Sequence, residues 1–397
     1  MKFSPSPEQQ ALRSSVRGFL DRFAPLTDLV ALVDTADGYD HAGWKPMAGN
    51  LGLQGLMVPE ELGGSGATLV ETALVLEEIG RALVPGPLFP CLGMAVPLLL
   101  ACPPSEPRDE TLSGIASGDI LPAVGAPIAS ASALNALPSA HRHGETYLLS
   151  GTVPRVLAAD AATQLIIAAD TESGPALFTV QATADGVQRT ALRALDPTRR
   201  EYDVVLDAAP GMLICQPQHA RQALTRLRDV SRVAVAAEAV GGAQRCLDIA
   251  VKYALERTAF GRPIGSFQAL KHKMANMYLE IEVARTASWY TAWLLADGGR
   301  SPGFIPTEAK MIATTCYLSC ARSLIEILGG IGYTWEHPAH LYFKRATSVA
   351  SFIESRADAL SAIADGLLDR EQELAPAFGG RPQGGATPRA RLLGGPA

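Results

Sequence analysis

The sequence has little charge, few aromatic residues and no long hydrophobic run. Of its 397 residues, 19% are charged and 6% are aromatic, and the formal net charge is −6. A net negative charge argues against nucleic acid as the main partner. No stretch approaches the ~20 uninterrupted apolar residues of a membrane span, and the first ten residues carry no apolar signal core. We therefore expect a globular, cytoplasmic protein that binds neither a membrane nor nucleic acid.

Cysteine is also scarce. The six cysteines are scattered, and Cys316 and Cys320 lie one helical turn apart. No His or carboxylate stands beside this pair in the sequence, so we expect small buried side chains and no metal site. Such cysteine usage fits a reducing cytoplasm.

Hydrophobic residues make up 48% of the chain, and the chain is longer than one ordinary core, so we predict several compact units. Residues 1–117 show the 3.6-residue period of helices. In residues 118–217, short β-type runs separated by Gly, Asp and Pro predict a small antiparallel β domain. The helical period returns in residues 218–375 and predicts an antiparallel helical bundle. Residues 376–397 are rich in Gly, Pro and Arg, which predicts a disordered tail.

One stretch, from Ala254 to Asn276, joins a helix, a break and a second helix. Gly261, Pro263 and Gly265 end the first helix, and good helix formers follow them. Cationic side chains crowd around this turn: Arg257, Arg262, Lys271, His272 and Lys273. Clustered cations on a Gly/Pro corner suit a phosphorylated ligand. A solvated basic corner between two helices would show the same pattern.

The string R-T-A-F-G-R-P-I-G-S-F-Q-A, which begins at Arg257, resembles the motif R-x-x-F-G-x-x-I-x-x-F/H-Q-A of the acyl-CoA dehydrogenase family. The resemblance extends from about Glu8 to about Leu374. It implies a mostly helical fold with a β insert: an N-terminal helical domain, a middle antiparallel β-barrel-like domain and a C-terminal four-helix bundle. It also implies FAD-dependent oxidation of an acyl-CoA to the 2-enoyl-CoA, with electrons passing to an electron-transfer flavoprotein.

The middle domain departs from the family pattern. Family members place a T-E-P-type strand and a W-I-T/S-type strand against the flavin. This chain instead has P-A-V-G-A-P from Pro122 and V-P-R-V-L from Val153. We therefore expect backbone and aliphatic atoms to make the flavin contacts of this wall.

Glu354 is the predicted catalytic base. Family members with a base at this position carry R-D-x-x-x-x-x-x-Y-E-G-T, and Arg345 precedes Glu354 by the same nine residues. A base that removes the α-proton needs an apolar pocket, and Phe352 and Ile353 supply apolar neighbours. Arg356, which departs from the family's Gly-Thr, could pair with the carboxylate. An exposed glutamate that caps a helix is the alternative interpretation.

A second base position exists in some branches of the family, at the start of the C-terminal domain, but Ser231 occupies it here. Glu238 follows seven residues later on the same helix face and is the fallback base, with an ion pair to a neighbouring helix as its alternative role. Asp229 and Arg232 match the D-x-x-R that holds the pantetheine and CoA portion in the family. A surface salt bridge is the competing interpretation.

The resemblance assigns two segments to FAD. Three residues of the first segment match flavin-contacting positions: Arg257, Phe260 and Gln268. The second segment, E-I-L-G-G-I-G-Y from Glu326, resembles the Q-I-x-G-G-x-G-F/Y that a neighbouring subunit presents. Gly329 and Gly330 permit close approach to the dinucleotide. Glu326 replaces Gln, which puts a carboxylate near phosphate.

Two functions stay open. The first is an acyl-CoA dehydrogenase that assembles as a homo- or heterotetramer, or a dimer, and acts on a bulky or unusual acyl group such as a steroid side chain. The second is a non-catalytic or half-site subunit that completes its partner's flavin site in a heteromeric acyl-CoA dehydrogenase. Glu354 and the intact string from Arg257 favour the first function, whereas Glu326 and the altered flavin wall favour the second.

Overall fold

The computed structural model describes residues 5–35, 38–128, 137–296 and 303–374, without the side chains of 369–374. Helices fill the chain as far as Ser117, strands run from Pro122 to Cys215, and helices continue from Pro217. The domain limits set from the sequence, after residues 117, 217 and 375, stay a prediction. The tail predicted to be disordered, residues 376–397, lies outside the described residues.

The N-terminal part is helical. Its helices are α1 (Pro7–Phe23), α2 (Leu26–Val33), α3 (His41–Leu51), α4 (Leu69–Ala82), α5 (Leu88–Pro90), α6 (Val96–Ala101) and α7 (Glu106–Ser117). Capping boxes begin α1, from Ser6 and Gln9, and α4, from Thr68 and Glu71. A π-helical turn, Cys91–Ala95, joins α5 to α6. Because α4 is buried over most of its length and packs on the C-terminal bundle, the two helical parts share one core.

The middle part is a seven-stranded sheet. Its strands are β1 (Pro122–Gly125), β2 (Ser139–His143), β3 (Thr146–Leu157), β4 (Gln164–Thr171), β5 (Gly174–Gln181), β6 (Val187–Ala191) and β7 (Glu201–Cys215). The path β4-β2-β3-β7-β5 returns to β4, which confirms the barrel-like domain. Buried Leu149, Ile167 and Phe178 belong to its own apolar cluster.

The sequence predicted an antiparallel sheet, whereas two of the observed strand pairings are parallel. Strand β4 runs parallel to both β1 and β2, while its pairing with β5 is antiparallel. The physical reason is connectivity, because a short hairpin forces antiparallel pairing only between strands that follow each other directly, such as β2 with β3 and β4 with β5.

The C-terminal part is a helical bundle, as predicted. Its helices are α8 (Pro217–Glu256), α9 (Gln268–Ala296), α10 (Ile305–Leu328), α11 (Ala339–Ser351) and α12 (Arg356–Leu374). The Gly/Pro break between α8 and α9 forms a small hairpin of β8 (Thr258–Ala259) and β9 (Arg262–Pro263). The three-domain, mostly helical fold expected from the sequence is therefore confirmed.

Helix α10 is the most apolar long helix described. With its 3-10 extension, Ile305–Tyr333, it is long and apolar enough to cross a membrane by length and composition alone. In this fold it packs against α8, α9 and α11, and 56% of its most apolar window is buried inside the protein. It therefore serves as the core helix of the bundle.

Glycines allow α4 and α8 to approach closely. A Cβ on Gly241 of α8 would lie 1.7 Å from the backbone oxygen of Glu77, and one on Gly80 of α4 would lie 2.0 Å from that of Glu238. Neither position admits a side chain without moving a backbone. This close contact fixes the height of α8 against the N-terminal helices, and α8 carries several of the predicted site residues.

Candidate active site

A cavity of about 870 Å³ lies between the middle sheet and the turn that joins α11 to α12. Its sheet side comes from Gly125–Pro127 after β1 and from Val153 and its neighbours in β3. These are the two segments that the sequence assigned to the flavin wall. They offer backbone and aliphatic surface together with Arg155, whose guanidinium pairs with Glu201 (Nε to Oε2, 2.8 Å).

Glu354 lies on the opposite side of this cavity, in the α11–α12 turn. Its side chain is buried, with 5% of its surface exposed. The residue before it, Ile353, has a φ of 78°, a left-handed conformation that is strained for a β-branched residue. The helix cap that follows belongs to another residue, because Ser355 Oγ accepts from the backbone N–H of Asp358 at 3.2 Å. The interpretation of Glu354 as an exposed capping residue is therefore wrong.

The two oxygens of the Glu354 carboxylate have different surroundings. Oε2 accepts from Arg232 Nε at 3.0 Å and from Arg232 Nη2 at 2.8 Å. Oε1 is buried and has no hydrogen-bond partner among the described residues. The ammonium of Lys310 is 3.4 Å from Oε1, an ion-pair distance without hydrogen-bond alignment. Arg232 therefore anchors Oε2 through two hydrogen bonds, whereas Oε1 has only the charge of Lys310 beside it.

The cations at Glu354 are not the one that the sequence suggested. Arg356 donates instead to the hydroxyl of Thr315 at 3.1 Å. Arg232 comes from α8, 122 residues away along the chain, and Lys310 comes from α10. Sequence reasoning missed Lys310. The available signal was a lysine within the apolar stripe of a predicted helix, because a buried lysine needs a partner. In the structure only 2% of Lys310 is exposed.

Asp229 and Arg232 of α8 form an ion pair next to Glu354. Asp229 Oδ1 accepts from Arg232 Nη1 at 3.1 Å. Burial raises the pKa of Asp229, and the facing guanidinium of Arg232 opposes that shift. Arg232 is therefore shared between two carboxylates, those of Asp229 and Glu354. The CoA-binding role of Asp229 and Arg232 stays a prediction.

Glu238 does not fit the role of a fallback base. It is completely buried and does not line the cavity. Its carboxylate accepts from Arg199 Nη2 at 2.5 Å and from Arg345 Nη1 at 2.5 Å. A carboxylate neutralised by two guanidiniums and shut off from the cavity cannot reach a substrate. The alternative role, an ion pair to a neighbouring helix, is the observed one. Ser231, at the other possible base position, donates to the backbone oxygen of Gly93 at 3.3 Å.

The cationic corner is an open surface in the single chain. Phe260, at the tip of the β8–β9 hairpin, is 95% exposed with a φ of 53°, and Arg257 and Gln268 are exposed beside it. An exposed aromatic ring next to a guanidinium suits a planar, phosphorylated ligand. None of these three residues lines the cavity, so this surface and the cavity are separate within one chain.

The glycine segment is equally open. Gly329 has a φ of 66°, and no heavy atom would lie within 4 Å of a Cβ on either Gly329 or Gly330. Bare backbone here can therefore meet a ligand or another chain closely. The carboxylate of Glu326 is not isolated, because it forms an ion pair with Lys273 of α9. The sequence alone did not show this partner. The pair offsets the negative charge next to the predicted phosphate site.

The cysteine pair has a carboxylate neighbour that the sequence did not reveal. Cys316 and Cys320 lie with their sulfurs 4.0 Å apart, and Glu280 of α9 brings a third potential ligand atom within 4.8 Å. Hydrogen bonding to Cys316 and burial raise the pKa of Cys320, so this thiol stays protonated. Three potential ligand atoms are one fewer than a closed tetrahedral metal site requires. The absence of a metal stays a prediction.

Comparison with known proteins gives two matching family descriptions. Residues 6–119 match "Acyl-CoA dehydrogenase, N-terminal domain", and residues 220–352 match "Acyl-CoA dehydrogenase, C-terminal domain". Acyl-CoA dehydrogenase IpdE2 of Mycobacterium tuberculosis is 32% identical over 366 residues, covering 90% of this chain and 96% of the relative. The mitochondrial short-chain specific acyl-CoA dehydrogenase of Bos taurus is 28% identical, covering 85% of this chain and 84% of that protein.

Solved structures give the same result. A variant of the Tcur3481-Tcur3483 steroid ACAD superposes with a TM-score of 0.80 at 28% identity, covering 92% of this chain and 99% of that one. The glutaryl-coenzyme A dehydrogenase in complex with glutaryl-CoA superposes with a TM-score of 0.81 at 27% identity, covering 93% of this chain and 97% of that one.

Proposed function

The chain belongs to the acyl-CoA dehydrogenase family, and on this premise we propose that it oxidises an acyl-CoA thioester to the 2-enoyl-CoA with FAD as its cofactor. Acyl-CoA dehydrogenation in general follows from the family. The observation that carries the specific proposal is the buried carboxylate of Glu354 on the cavity wall, with Oε1 free of hydrogen bonds.

Glu354 acts as the general base for the proton next to the thioester carbonyl. Because Arg232 holds Oε2, the proton goes to Oε1. A base must be ionised to accept a proton, and Arg232 and Lys310 place two cations beside this carboxylate. The apolar side chain of Phe352 helps to exclude water from the site. FAD, when bound, supplies the acceptor for the hydride that leaves the β-carbon.

The residues present fit FAD. The cavity between the sheet and Glu354 offers a slot lined by glycine, proline and aliphatic side chains, where a flat ring can lie. Arg257, Phe260 and Gln268 would hold the dinucleotide from one subunit, and Gly329 and Gly330 would do so from its neighbour. The exposure of both segments in the single chain supports this sharing. A homo- or heterotetramer, or a dimer, is therefore the proposed assembly.

The proposed substrate is a CoA thioester with a bulky acyl group. The cavity of about 870 Å³ would hold both the flavin ring and the acyl group, so its volume alone does not set the size of the acyl group. The similarity to a protein described as a steroid ACAD supports a steroid-type or other alicyclic group. Asp229 and Arg232, which form an ion pair next to Glu354, are the proposed CoA-binding residues.

The electron acceptor is proposed to be an electron-transfer flavoprotein, as in the family. A cytoplasmic location is proposed as well. All six cysteines are free and buried, which fits a reducing compartment.

A second candidate function is that of a half-site subunit in a heteromeric acyl-CoA dehydrogenase. The observation in its favour is the altered flavin wall. The segments P-A-V-G-A-P from Pro122 and V-P-R-V-L from Val153 stand in place of the family's T-E-P-type and W-I-T/S-type strands. Such a chain would present Gly329 and Gly330 to a sister subunit without turning over substrate itself.

Purification of the chain alone separates the two functions. A yellow homo-oligomer whose flavin absorbance bleaches anaerobically with an acyl-CoA supports the enzyme. A colourless chain that gains flavin only with a sister subunit supports the half-site function. A panel of straight-chain, branched and alicyclic acyl-CoA thioesters, scored by bleaching rate, then identifies the substrate class.

The Glu354→Gln variant tests the base itself. It should retain the flavin spectrum and lose bleaching rate by about 10²–10⁴-fold, the usual contribution of a general base. Glu61→Gln, an exposed carboxylate of the N-terminal part, is the matched control and should bleach at the wild-type rate. Bleaching that survives in Glu354→Gln at the wild-type rate would show that another group removes the proton.

A further inference from the structure

Lys310 of α10 is a buried cation that lies next to the C-terminal end of α11. Its ammonium donates to the backbone oxygen of Glu354 at 3.1 Å and to that of Ala350 at 3.4 Å. The same nitrogen lies 3.4 Å from Glu354 Oε1. An ammonium has three N–H groups, and three oxygens face it here. All three oxygens belong to the short segment that carries the base.

This segment contains a strained residue. Ile353 adopts a φ of 78°, which a β-branched side chain disfavours and which persists only where the surroundings fix it. The two carbonyls that Lys310 binds lie on either side of Ile353. One of them, at Ala350, belongs to the last turn of α11, where backbone oxygens lack helical partners. Lys310 therefore satisfies a helix end and fixes the backbone from which Glu354 extends.

Burial lowers the pKa of Lys310, and the facing carboxylate of Glu354 opposes that shift. The charged groups around the pair come from two other helices. They are Arg228, Asp229 and Arg232 on α8, and Asp358 on α12. Arg228 Nε donates to the backbone oxygen of Ile128, and Asp358 is exposed. Arg232 and Lys310 are thus the two cations in direct contact with the base.

We propose that Lys310 is the positioning residue of the catalytic base: by binding the backbone oxygens of Ala350 and Glu354, it holds the α11–α12 turn in the conformation that places the Glu354 carboxylate at the cavity wall. This inference rests on the proposed function. Arg232 and Lys310 have different roles. Arg232 binds the carboxylate oxygen Oε2, and Lys310 fixes the backbone of the turn that carries the carboxylate. The ammonium of Lys310 lies 3.4 Å from Oε1, which is an ion-pair distance without hydrogen-bond alignment.

The test is the Lys310→Met variant of the full-length, FAD-loaded protein, with Lys45→Met as the control. Lys45 is an exposed lysine paired with Asp119 in the N-terminal part. The bleaching rate of Lys310→Met should fall by about 10²-fold, because small misplacements of a catalytic group cost this much. Affinity for the enoyl-CoA product, measured by flavin spectral shift, should change by less than about threefold. The acid limb of its pH–rate profile should move to higher pH, because a carboxylate that loses a facing cation holds its proton more tightly.

The Lys310→Gln variant covers the case in which Lys310→Met loses FAD. Its amide keeps two N–H donors for the carbonyls at Ala350 and Glu354 but carries no charge. We expect the same movement of the acid limb with a smaller loss of rate. A purely structural lysine would leave the acid limb in place, so an unmoved limb in the variant that retains FAD overturns the proposal.

The outcomes distinguish this inference from the proposed function. If wild-type protein does not bleach with any acyl-CoA, the proposed function fails. If the wild type bleaches, Glu354→Gln does not, and Lys310→Met bleaches with the wild-type rate and pH profile, then only the role of Lys310 fails. Loss of product binding in step with loss of rate would likewise overturn the positioning role, because it would indicate general damage to the site.

Discussion

Glu326 and Lys273 form an ion pair beside the glycine segment, where family members carry a neutral glutamine. The pair is exposed, with 36% of the Lys273 side chain and 59% of the Glu326 side chain accessible, so it adds little to stability. Its proposed effect is on the cofactor. If this segment meets the FAD pyrophosphate of a neighbouring subunit, Lys273 offsets a charge that would otherwise repel it.

We therefore expect Lys273→Met to weaken FAD binding by about fivefold, since one uncompensated charge at close range in water costs ~1 kcal/mol. Adding Glu326→Gln to it should restore the affinity, and Glu326→Gln alone should tighten FAD binding by about fivefold, because it leaves the Lys273 cation unpaired. Titration of apo-protein with FAD, followed by flavin fluorescence at 20 mM and 500 mM salt, measures this, because the salt screens the effect. Equal affinity of Lys273→Met and wild type at low salt would show that no phosphate lies near Glu326.

At the residue scale, the sequence singled out Glu354 but not its ion-pair partners. Glu354 could be identified from its nine-residue spacing to Arg345. Arg232 and Lys310 are 122 and 44 residues away from it, and a single sequence does not show which distant side chains meet. Glu238 illustrates the same limit, because helical periodicity gave its face on α8 but not the two arginines that pack against that face.

At the scale of elements, the contact between α4 and α8 depends on Gly241. We expect Gly241→Ala to destabilise the protein by about 1–3 kcal/mol, as overpacking does, because its Cβ would lie 1.7 Å from the backbone oxygen of Glu77. Helix propensity alone predicts the opposite sign, since Ala is the better helix former. The urea midpoint of the apo-protein, followed by far-UV circular dichroism, measures the change.

Gly18→Ala in α1 is the matched control for this substitution. Gly18 also lies inside a helix, but nothing lies within 4 Å of a Cβ built there. The variant should be more stable than wild type by about 0.5–1 kcal/mol. A stabilised Gly241→Ala would mean that α4 and α8 can separate at no cost and that their contact does not set the position of α8.

Elements were predicted well where local chemistry decides them. The break at Gly261 and Pro263 follows from residues that cannot continue a helix. Its two-residue strands could not be predicted, since they depend on pairing across the turn. The parallel pairing of β1 with β4 was missed for a similar reason, because strand order is a tertiary property that period-two patterning does not encode.

At the scale of the whole molecule, one buried group of charges connects the middle domain to the bundle. Asp196 and Arg199, in the loop before β7, meet Glu238 of α8 and Arg345 of α11. The group holds two positive and two negative charges and is almost completely buried. The domain order could be read from the sequence, but this connection between domains could not, since each half of it resembles an ordinary surface charge.

Arg345 is the centre of this group, and its removal should have the largest effect on stability of the changes considered. Its guanidinium donates to Asp196, Glu238 and Thr198, and 1% of its side chain is exposed. We expect Arg345→Met to destabilise the apo-protein by about 3–5 kcal/mol, because a buried carboxylate is left without its partner. Arg345→Lys should recover only part of this loss, since an ammonium cannot reproduce the planar fork.

The control for Arg345→Met is Arg142→Met. Arg142 is an exposed arginine of β2 that bonds only to the backbone oxygen of Gly144 in the described structure. The free energy of unfolding of this variant should stay within ~0.5 kcal/mol of wild type. Urea unfolding followed by circular dichroism and by tryptophan fluorescence reports on both the amount and the cooperativity of unfolding. All four tryptophans lie in the helical parts, so a middle domain that detaches early appears in circular dichroism before fluorescence. Coincident transitions at the wild-type midpoint in Arg345→Met would show that the buried charges do not join the domains.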